Sequence, residues 1–214
     1  PAQNYEFVEN LANNYPNLTV VGMDCVPRIT RAQKLDSLSS MANIKGYRAV
    51  IVSLEVFQKC PKAMITAAGK LPPAKVFIIG CGVAGLSAIG YCRSLGCVVK
   101  AFDSRSAARE QAESLGAEFI EVNVQEEGGG YGGYAKEMSD AYKQAQLEMT
   151  KKVSASVDIV ITTALIPGKP APKLITEDIV RAMRPGSVIL DMAAEMGGNC
   201  ELSSPGKTVQ DEDS

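Results

Sequence analysis

Two different patterns of hydrophobic and polar residues meet near residue 75 of the chain. Before it, apolar residues recur at helical spacing, one short β-branched run interrupts them, and proline and glycine mark the connections. The predicted elements of this part are a helix over residues 4–13, a strand over 18–22, a loop over 24–34, a helix over 36–57 and a connector over 58–75.

From residue 75 onward, short apolar runs alternate with amphipathic segments, and glycines follow the first two helical segments. The predicted strands cover residues 75–79, 98–102, 118–122, 157–162 and 187–192; the predicted helices cover 83–95, 107–115 and 135–152, with a further helix capped by Thr176. Strands that alternate with helices form right-handed βαβ units around a parallel sheet. We therefore predict an α/β fold, a doubly wound (Rossmann) domain together with part of a second α/β subdomain.

The same change of pattern predicts the domain organisation. Residues 1–60 are expected to form a partial first subdomain with a linking helix, residues 61–74 a connector, residues 75–200 the Rossmann domain and residues 201–214 a tail.

The amino-acid composition excludes several kinds of catalytic and metal site. The 214 residues are 46% apolar and 21% charged, which is typical of a globular chain. The absence of histidine excludes Ser–His and Cys–His nucleophile pairs and imidazole metal ligands within this chain. No two of the six cysteines are spaced as C-x-x-C, so we expect reduced thiols and no metal site.

Charge and hydropathy bear on the possible partners. A net charge of -2 without a basic tract argues against nucleic acid. The first residues lack the basic and apolar regions of a signal peptide. Residues 76–92 carry no charge over 17 positions, but a spanning helix needs ~20 residues, so no membrane span is expected.

A glycine motif in this uncharged segment gives it a better explanation. The sequence Gly80-Cys81-Gly82-Val83-Ala84-Gly85 stands where a predicted strand passes into a helix, and Asp103 ends the next strand. Glycines at this junction allow a tight turn, approach of a pyrophosphate and close helix packing, while the acidic residue accepts from a ribose 2′-hydroxyl. Arg105 weakens the resulting preference for NAD over NADP because it can accommodate a 2′-phosphate. The predicted cofactor-binding residues here are Gly80, Gly82, Val83, Ala84, Gly85, Asp103, Ser104 and Arg105.

Two alternatives remain open at this motif. The glycines could serve packing alone. Cys81 could be a packed thiol or, because it stands at a helix start, a thiol with a lowered pKa.

Several longer sequence motifs resemble those of a known family. They are Pro27-Arg28-Ile29-Thr30-Arg31-Ala32-Gln33, Leu38-Ser39-Ser40-Met41-Ala42-Asn43-Ile44, Ile65-Thr66-Ala67-Ala68-Gly69-Lys70, Gly133-Tyr134-Ala135-Lys136-Glu137-Met138-Ser139, the stretch from Thr162 to Pro172, and Gly197-Gly198-Asn199-Cys200-Glu201. In this order, from about residue 1 to Val209, they resemble the NAD(H)-binding component (domain I, alpha subunit) of proton-translocating NAD(P) transhydrogenase.

The resemblance implies roles for particular residues. Arg28, Gln33 and Asp36, with Ser39 beside them, would hold the nicotinamide carboxamide and ribose, and Tyr134 would stand on a mobile loop over the site. The turn Thr163-Ala164-Leu165, shaped by Pro167, would lie near the nicotinamide. From the residues alone, the pattern of the first group favours an ordinary loop before a helix capped by Asp36. The glycine-rich segment 128–134 fits a surface loop as well as a lid over the nucleotide.

The resemblance also implies an activity and partners. The chain would bind NAD(H) and exchange hydride with NADP(H) held on a partner domain, while a membrane domain of the same enzyme translocates protons. It would act as a homodimer, peripheral on a membrane through its partner, at the bacterial cytoplasmic face or an organelle's inner membrane. No proton moves at the reacting carbon, so a chain without histidine is compatible with this chemistry.

The sequence departs from the family at its ends. The amino-terminal part of the first subdomain and the family's return segment are not in the sequence, so we expect a fragment or a split version. Two other functions therefore stay open: a non-enzymatic NAD-binding or assembly module, and an alanine dehydrogenase-like oxidoreductase. The second normally uses a catalytic histidine, which this chain lacks.

Overall fold

The structure, a computed structural model, describes residues 4–26, 30–124, 126, 128–129, 138–165 and 170–210. Its helices are α1 (Tyr5–Asn14), α2 (Ser37–Phe57), α3 (Val83–Ser94), α4 (Ala107–Ser114), α5 (Asp140–Ser154) and α6 (Glu177–Ala182). Its strands are β1 (Met64–Thr66), β2 (Gly69–Leu71), β3 (Lys75–Ile79), β4 (Val98–Phe102), β5 (Glu118–Phe119), β6 (Ile159–Thr162) and β7 (Val188–Asp191).

Five of these strands form one parallel sheet. Their order is β5-β4-β3-β6-β7, and the register pairs Ile79 at the end of β3 with Phe102 on one side and Thr162 on the other. The chain therefore runs outward from β3 in one direction and then returns to build β6 and β7 in the other. Ligands of such sheets bind at the carboxyl ends of the strands where the order reverses, which here is between β3 and β6.

Helices cover both faces of the sheet because β3 is apolar on both of its sides. Val76 and Ile78 face a core formed with α2, α3 and α4, whereas Phe77 and Ile79 face a second core formed with α5 and α6. Side chains alternate between the faces of a strand, so this single apolar run supplies both cores. The predicted α/β doubly wound fold is confirmed.

Most predicted elements from residue 75 onward are confirmed to within a few positions. The third strand is shorter than predicted, at Glu118–Phe119, because it pairs with β4 through only these two residues at the edge of the sheet. The predicted helix over 135–152 begins at Asp140, where the Ser139 hydroxyl accepts from Tyr142 N at 3.3 Å, and residues 130–137 lie outside the described residues.

The predictions for the first part of the chain need three corrections. The expected strand over 18–22 is wrong: Leu18, Val20 and Val21 are exposed, and β-branched residues form a strand only beside a partner strand. The expected loop over 24–34 contains short 3₁₀ helices at Met23–Cys25 and Thr30–Leu35. The expected connector holds the antiparallel hairpin β1–β2, which is solvent-exposed throughout.

The predicted cap of α6 also needs correction. Thr176 stands at the N-cap position, but its side chain makes no capping hydrogen bond. The carboxylate of Glu201 accepts from Glu177 N at 2.9 Å instead, so a residue distant in sequence supplies the cap.

Within the described residues, no helix combines the length and the apolar character needed to cross a membrane. The division of the chain into four parts stays a prediction.

Candidate dinucleotide site

The three motif glycines meet different surroundings at the end of β3. Gly80 has φ +99°, and a Cβ there would lie 2.5 Å from Thr163 Oγ1. A Cβ on Gly85 would collide with the carbonyl oxygen of Gly80, which lets α3 pack closely on the strand. A Cβ on Gly82 would meet nothing within 4 Å. Packing therefore explains Gly80 and Gly85 but not Gly82, whose backbone faces open space.

The open space at Gly82 adjoins the amino terminus of α3. Gly82 is the N-cap residue, and Leu86 N donates to its carbonyl at 2.9 Å. Since glycine has no side chain, the first amide groups of α3, at Val83 and Ala84, receive no side-chain cap. Amide groups in this position and the helix dipole favour an anion such as a pyrophosphate.

Asp103 follows β4 directly and lies against the glycine turn. Its Oδ2 accepts from Cys81 N at 2.7 Å and from Arg105 Nη2 at 2.8 Å. Its Oδ1 accepts from Arg105 N and Arg105 Nε, both at 2.9 Å. A carboxylate offers about four acceptor positions, so these contacts saturate it.

Because every acceptor position of Asp103 is already used, a ribose hydroxyl must compete with Arg105 for this carboxylate. The two side chains form a two-point ion pair, with 6% of the aspartate side chain and 21% of the arginine side chain exposed. The hydrogen bonds to Asp103 raise the pKa of the Arg105 guanidinium, with burial opposing them. A 2′-hydroxyl can reach the carboxylate only by replacing Arg105 contacts, and the displaced guanidinium would then be available to a phosphate.

Ser104, the residue after Asp103, contacts the glycine-rich segment through its backbone carbonyl. Gly128 N donates to Ser104 O at 3.0 Å, and a Cβ on Gly128 would lie 2.5 Å from that oxygen. The beginning of the glycine-rich segment is thus held beside the acidic strand end. Two residues before Gly128, the carboxylate of Glu126 accepts from Ser139 Oγ at 2.6 Å, which connects this part of the chain to the start of α5.

Cys81 is a packed thiol. It is 1% exposed, and burial, assisted by the charge of Asp103, raises its pKa to about 12. The alternative of a lowered pKa at a helix start is wrong, because desolvation and a carboxylate both disfavour the thiolate.

The turn after β6 lies across the glycine motif from Asp103. Thr163 N donates to Ile79 O at 2.8 Å, and Thr163 Oγ1 donates to Gly80 O at 2.9 Å. Ala164 follows, bonded to Asn199, and Leu165 is 37% exposed. Pro167 lies outside the described residues. The structure therefore brings Thr163 and Ala164 to the same sheet edge as the glycine motif and Asp103.

The loop predicted to hold the nicotinamide is described only in part. Asp36 is 8% exposed and caps α2: its Oδ1 accepts from Ser39 N at 3.0 Å and its Oδ2 accepts from Ser39 Oγ at 2.6 Å. Gln33 lies in the 3₁₀ helix Thr30–Leu35, and Arg28 and Tyr134 lie outside the described residues. The capping role of Asp36 is confirmed, and the nicotinamide contacts stay a prediction.

Sequence reasoning gave no role to two residues that organise this edge. Asp191 ends β7 and accepts four hydrogen bonds, while Asn199 bonds both backbone groups of Ala164. The sequence does contain a signal for Asn199: the words Gly197-Gly198-Asn199 follow a predicted strand end. Two glycines before a short polar residue indicate a tight turn that fixes the direction of that side chain.

Comparisons with known proteins show the family of the chain. The family model described as alanine dehydrogenase/PNT, C-terminal domain, matches residues 49–214. The chain is similar to the NAD(P) transhydrogenase subunit alpha of Haemophilus influenzae, with 54% identity over 98% of this chain and 41% of that protein. It is less similar to alanine dehydrogenase 2 of Staphylococcus aureus, with 31% identity over 84% of this chain and 44% of that protein.

A solved structure gives the same result for the fold. The transhydrogenase of Sinorhizobium meliloti superposes with a TM-score of 0.84 at 44% identity, covering 100% of this chain and 57% of that chain. The resemblance to the transhydrogenase alpha subunit is confirmed. The chain spans about half the length of these relatives.

Proposed function

The chain belongs to the alanine dehydrogenase/PNT C-terminal domain family, and we propose on that footing that it is the NAD(H)-binding part of an NAD(P) transhydrogenase. In this function, hydride passes between NAD(H) on this chain and NADP(H) on a partner domain of the same enzyme.

One observation carries the proposal: the glycine turn after β3, which borders the point where the strand order reverses, presents the open backbone of Gly82 and is bonded through Cys81 N to the carboxylate of Asp103. A pyrophosphate fits the uncapped amides of α3, and the adenosine ribose then lies toward β4. The nicotinamide half consequently extends toward the end of β6 and the turn at Thr163.

The remaining predicted residues complete the proposal. Arg28, Gln33, Asp36 and Ser39 hold the nicotinamide and its ribose, and Tyr134 covers the site from the glycine-rich segment. Thr163, Ala164, Leu165 and Pro167 form the surface beside the nicotinamide. The bound nicotinamide supplies or receives the hydride, and the chain's residues orient the ring and exclude water.

Further parts of the proposal concern assembly. The chain works as a homodimer beside an NADP(H)-binding domain, and a membrane domain couples the reaction to proton translocation. The Haemophilus influenzae relative is named as a subunit alpha, which is consistent with other subunits in that enzyme.

The alternative of an alanine dehydrogenase-like oxidoreductase has less support. The identity to alanine dehydrogenase 2 of Staphylococcus aureus is 31%, against 54% to the transhydrogenase subunit alpha of Haemophilus influenzae. The alternative of a binding or assembly module without turnover is separated from the proposal by experiment.

The experiment is a titration of the chain with NADH and with NADPH, followed by nicotinamide fluorescence. We expect saturable binding of NADH and much weaker binding of NADPH. Hydride transfer is then measured after addition of an NADP(H)-binding transhydrogenase domain. Binding without turnover would favour the module, and a folded chain that binds neither nucleotide would contradict the proposal.

A further inference from the structure

Asn199 is fully buried, and its side-chain amide is hydrogen-bonded to two other segments of the chain. Its Nδ2 donates to Ala164 O and to Pro172 O, both at 2.9 Å, and its Oδ1 accepts from Ala164 N at 3.1 Å. The side chain thus pairs with both backbone groups of Ala164, as a neighbouring strand would. The reverse orientation of the amide would place its oxygen against two carbonyls, so these partners fix its orientation.

The surrounding sequence aims this side chain with little freedom. Gly197 and Gly198 both have positive φ, at +96° and +77°, and a Cβ on Gly198 would lie 2.5 Å from Ser203 Oγ. The backbone carbonyl of Asn199 accepts from Leu174 N at 2.8 Å and Ile175 N at 3.0 Å. The amide therefore projects from a turn that is itself bonded to a second segment of the chain.

Ala164 packs against the core on the α5 and α6 face, and among the described residues the hydrogen bonds of its backbone are those to Asn199. Thr163 is bonded to Gly80 and to the end of β3, but these contacts precede Ala164. Beyond it, Leu165 is 37% exposed. Within the described residues, the hydrogen bonds that set the direction of the chain after Thr163 are the ones to Asn199.

We propose that Asn199 is a positioning residue for the nicotinamide half of the cofactor. By pairing with Ala164 and Pro172, its carboxamide holds the Thr163–Leu165 turn at the distance from the glycine motif that the nicotinamide requires. The inference rests on the proposed function, since the turn is assigned to the nicotinamide by its position beyond β6. The adenosine half, bound at Asp103 on the other side of β3, is independent of this support.

The test compares two ligands that share the adenosine half. In Asn199→Asp, the side chain keeps its shape but loses both donors and sets a carboxylate against two carbonyl oxygens. We expect the Kd of NADH to rise on the order of tenfold, the scale of one lost buried hydrogen bond. The Kd of ADP-ribose, which lacks the nicotinamide, should stay within about twofold. Asn14→Asp is the matched control, because it makes the same charge change at an exposed amide that also donates to a backbone carbonyl.

A second variant covers the case in which Asn199→Asp does not fold. The exposed Lys173 donates from Nζ to Gly197 O at 2.6 Å and to Cys200 O at 3.2 Å, on both sides of Asn199. Lys173→Met should raise the Kd of NADH about threefold and leave that of ADP-ribose unchanged. Equal losses for both ligands, or no loss for NADH, would overturn the inference. Failure of the wild-type chain to bind NADH would instead overturn the proposed function, and this inference with it.

Discussion

Asp103 and Asp191 stand at the carboxyl ends of two strands of one sheet, and each carboxylate accepts four hydrogen bonds. One of the four donors in each set is the backbone N–H of a buried cysteine, Cys81 for Asp103 and Cys200 for Asp191. Burial raises the pKa of both thiols, and the neighbouring carboxylate adds to the rise.

The two carboxylates differ in the donors that surround them. Asp103 takes two of its four bonds from the guanidinium of Arg105, which reaches solvent. Asp191 takes all four from neutral groups: Thr162 Oγ1, Ala193 N, Cys200 N and Ser203 Oγ. A cation at the surface can leave for water, whereas the two backbone donors of Asp191 cannot leave without moving the chain. We infer that Asp103 can exchange partners and that Asp191 is structural.

The largest expected effect is on stability at Asp191. Asp191→Ala removes the acceptor of two backbone amides and of the Thr162 hydroxyl, while the Ser203 hydroxyl keeps Cys200 O, and we expect the free energy of unfolding to fall by about 3 kcal/mol. Asp103→Ala should cost about half as much, because Arg105 can turn toward solvent. Urea denaturation of both variants measures the difference. An equal loss of stability in the two variants would remove the distinction between them.

The sequence could predict one of these carboxylates and not the other. Asp103 is found because it follows a glycine motif at the spacing that a ribose requires, which is a local signal. The contacts of Asp191 and Asn199 join segments separated by up to 35 residues, and no periodicity records which turn folds back on which strand. The same reason explains the cap of α6, where Glu201 replaces Thr176. The alternation of apolar strands with amphipathic helices is repeated along the chain, so the sequence could predict the fold. The tertiary contacts leave no such repeated pattern, so the sequence could not predict them.

The next effect concerns the ligand. Asp103→Ala removes the acceptor proposed for the ribose, so the Kd of NADH should rise about thirtyfold, equivalent to ~2 kcal/mol. The Kd of NADPH should change less than about threefold, because a 2′-phosphate gains nothing from a carboxylate. Nicotinamide fluorescence titrations measure both constants.

Asp158 provides the control for that variant at the opposite edge of the sheet. Its carboxylate also pairs with an arginine and a backbone amide, Arg184 at 3.1 Å and Lys75 N at 2.8 Å. Asp158→Ala should therefore lower stability without altering the Kd of NADH. If Asp158→Ala raises the Kd of NADH as much as Asp103→Ala does, the assignment of Asp103 to the ribose is wrong.

A smaller effect follows from the thiol beside Asp103. The pKa of Cys81 is raised from 9.0 to about 12 in the folded chain, so its contribution to stability is complete below pH 9 and is lost between pH 9 and about pH 12. At about pH 10 the loss should be about 1.4 kcal/mol relative to pH 8. Urea denaturation of the wild type and of Cys81→Ala at both pH values measures the part of this loss that is due to Cys81. The same pH dependence in both proteins would show that Cys81 is not its source.

The smallest expected effect is at Arg105, and it tests partner exchange directly. Arg105→Met keeps the aliphatic stem but removes the guanidinium from Asp103, so a ribose no longer has to displace it. The Kd of NADH should fall about threefold, since a partly exposed ion pair contributes up to ~1 kcal/mol. The Kd of NADPH should rise, because the phosphate loses its cation. Arg109→Met is the matched control: Arg109 pairs with Glu113 at 3.0 Å and Glu121 at 2.5 Å, away from Asp103. If Arg105→Met instead weakens NADH, the arginine assists ribose binding and Asp103 does not exchange partners.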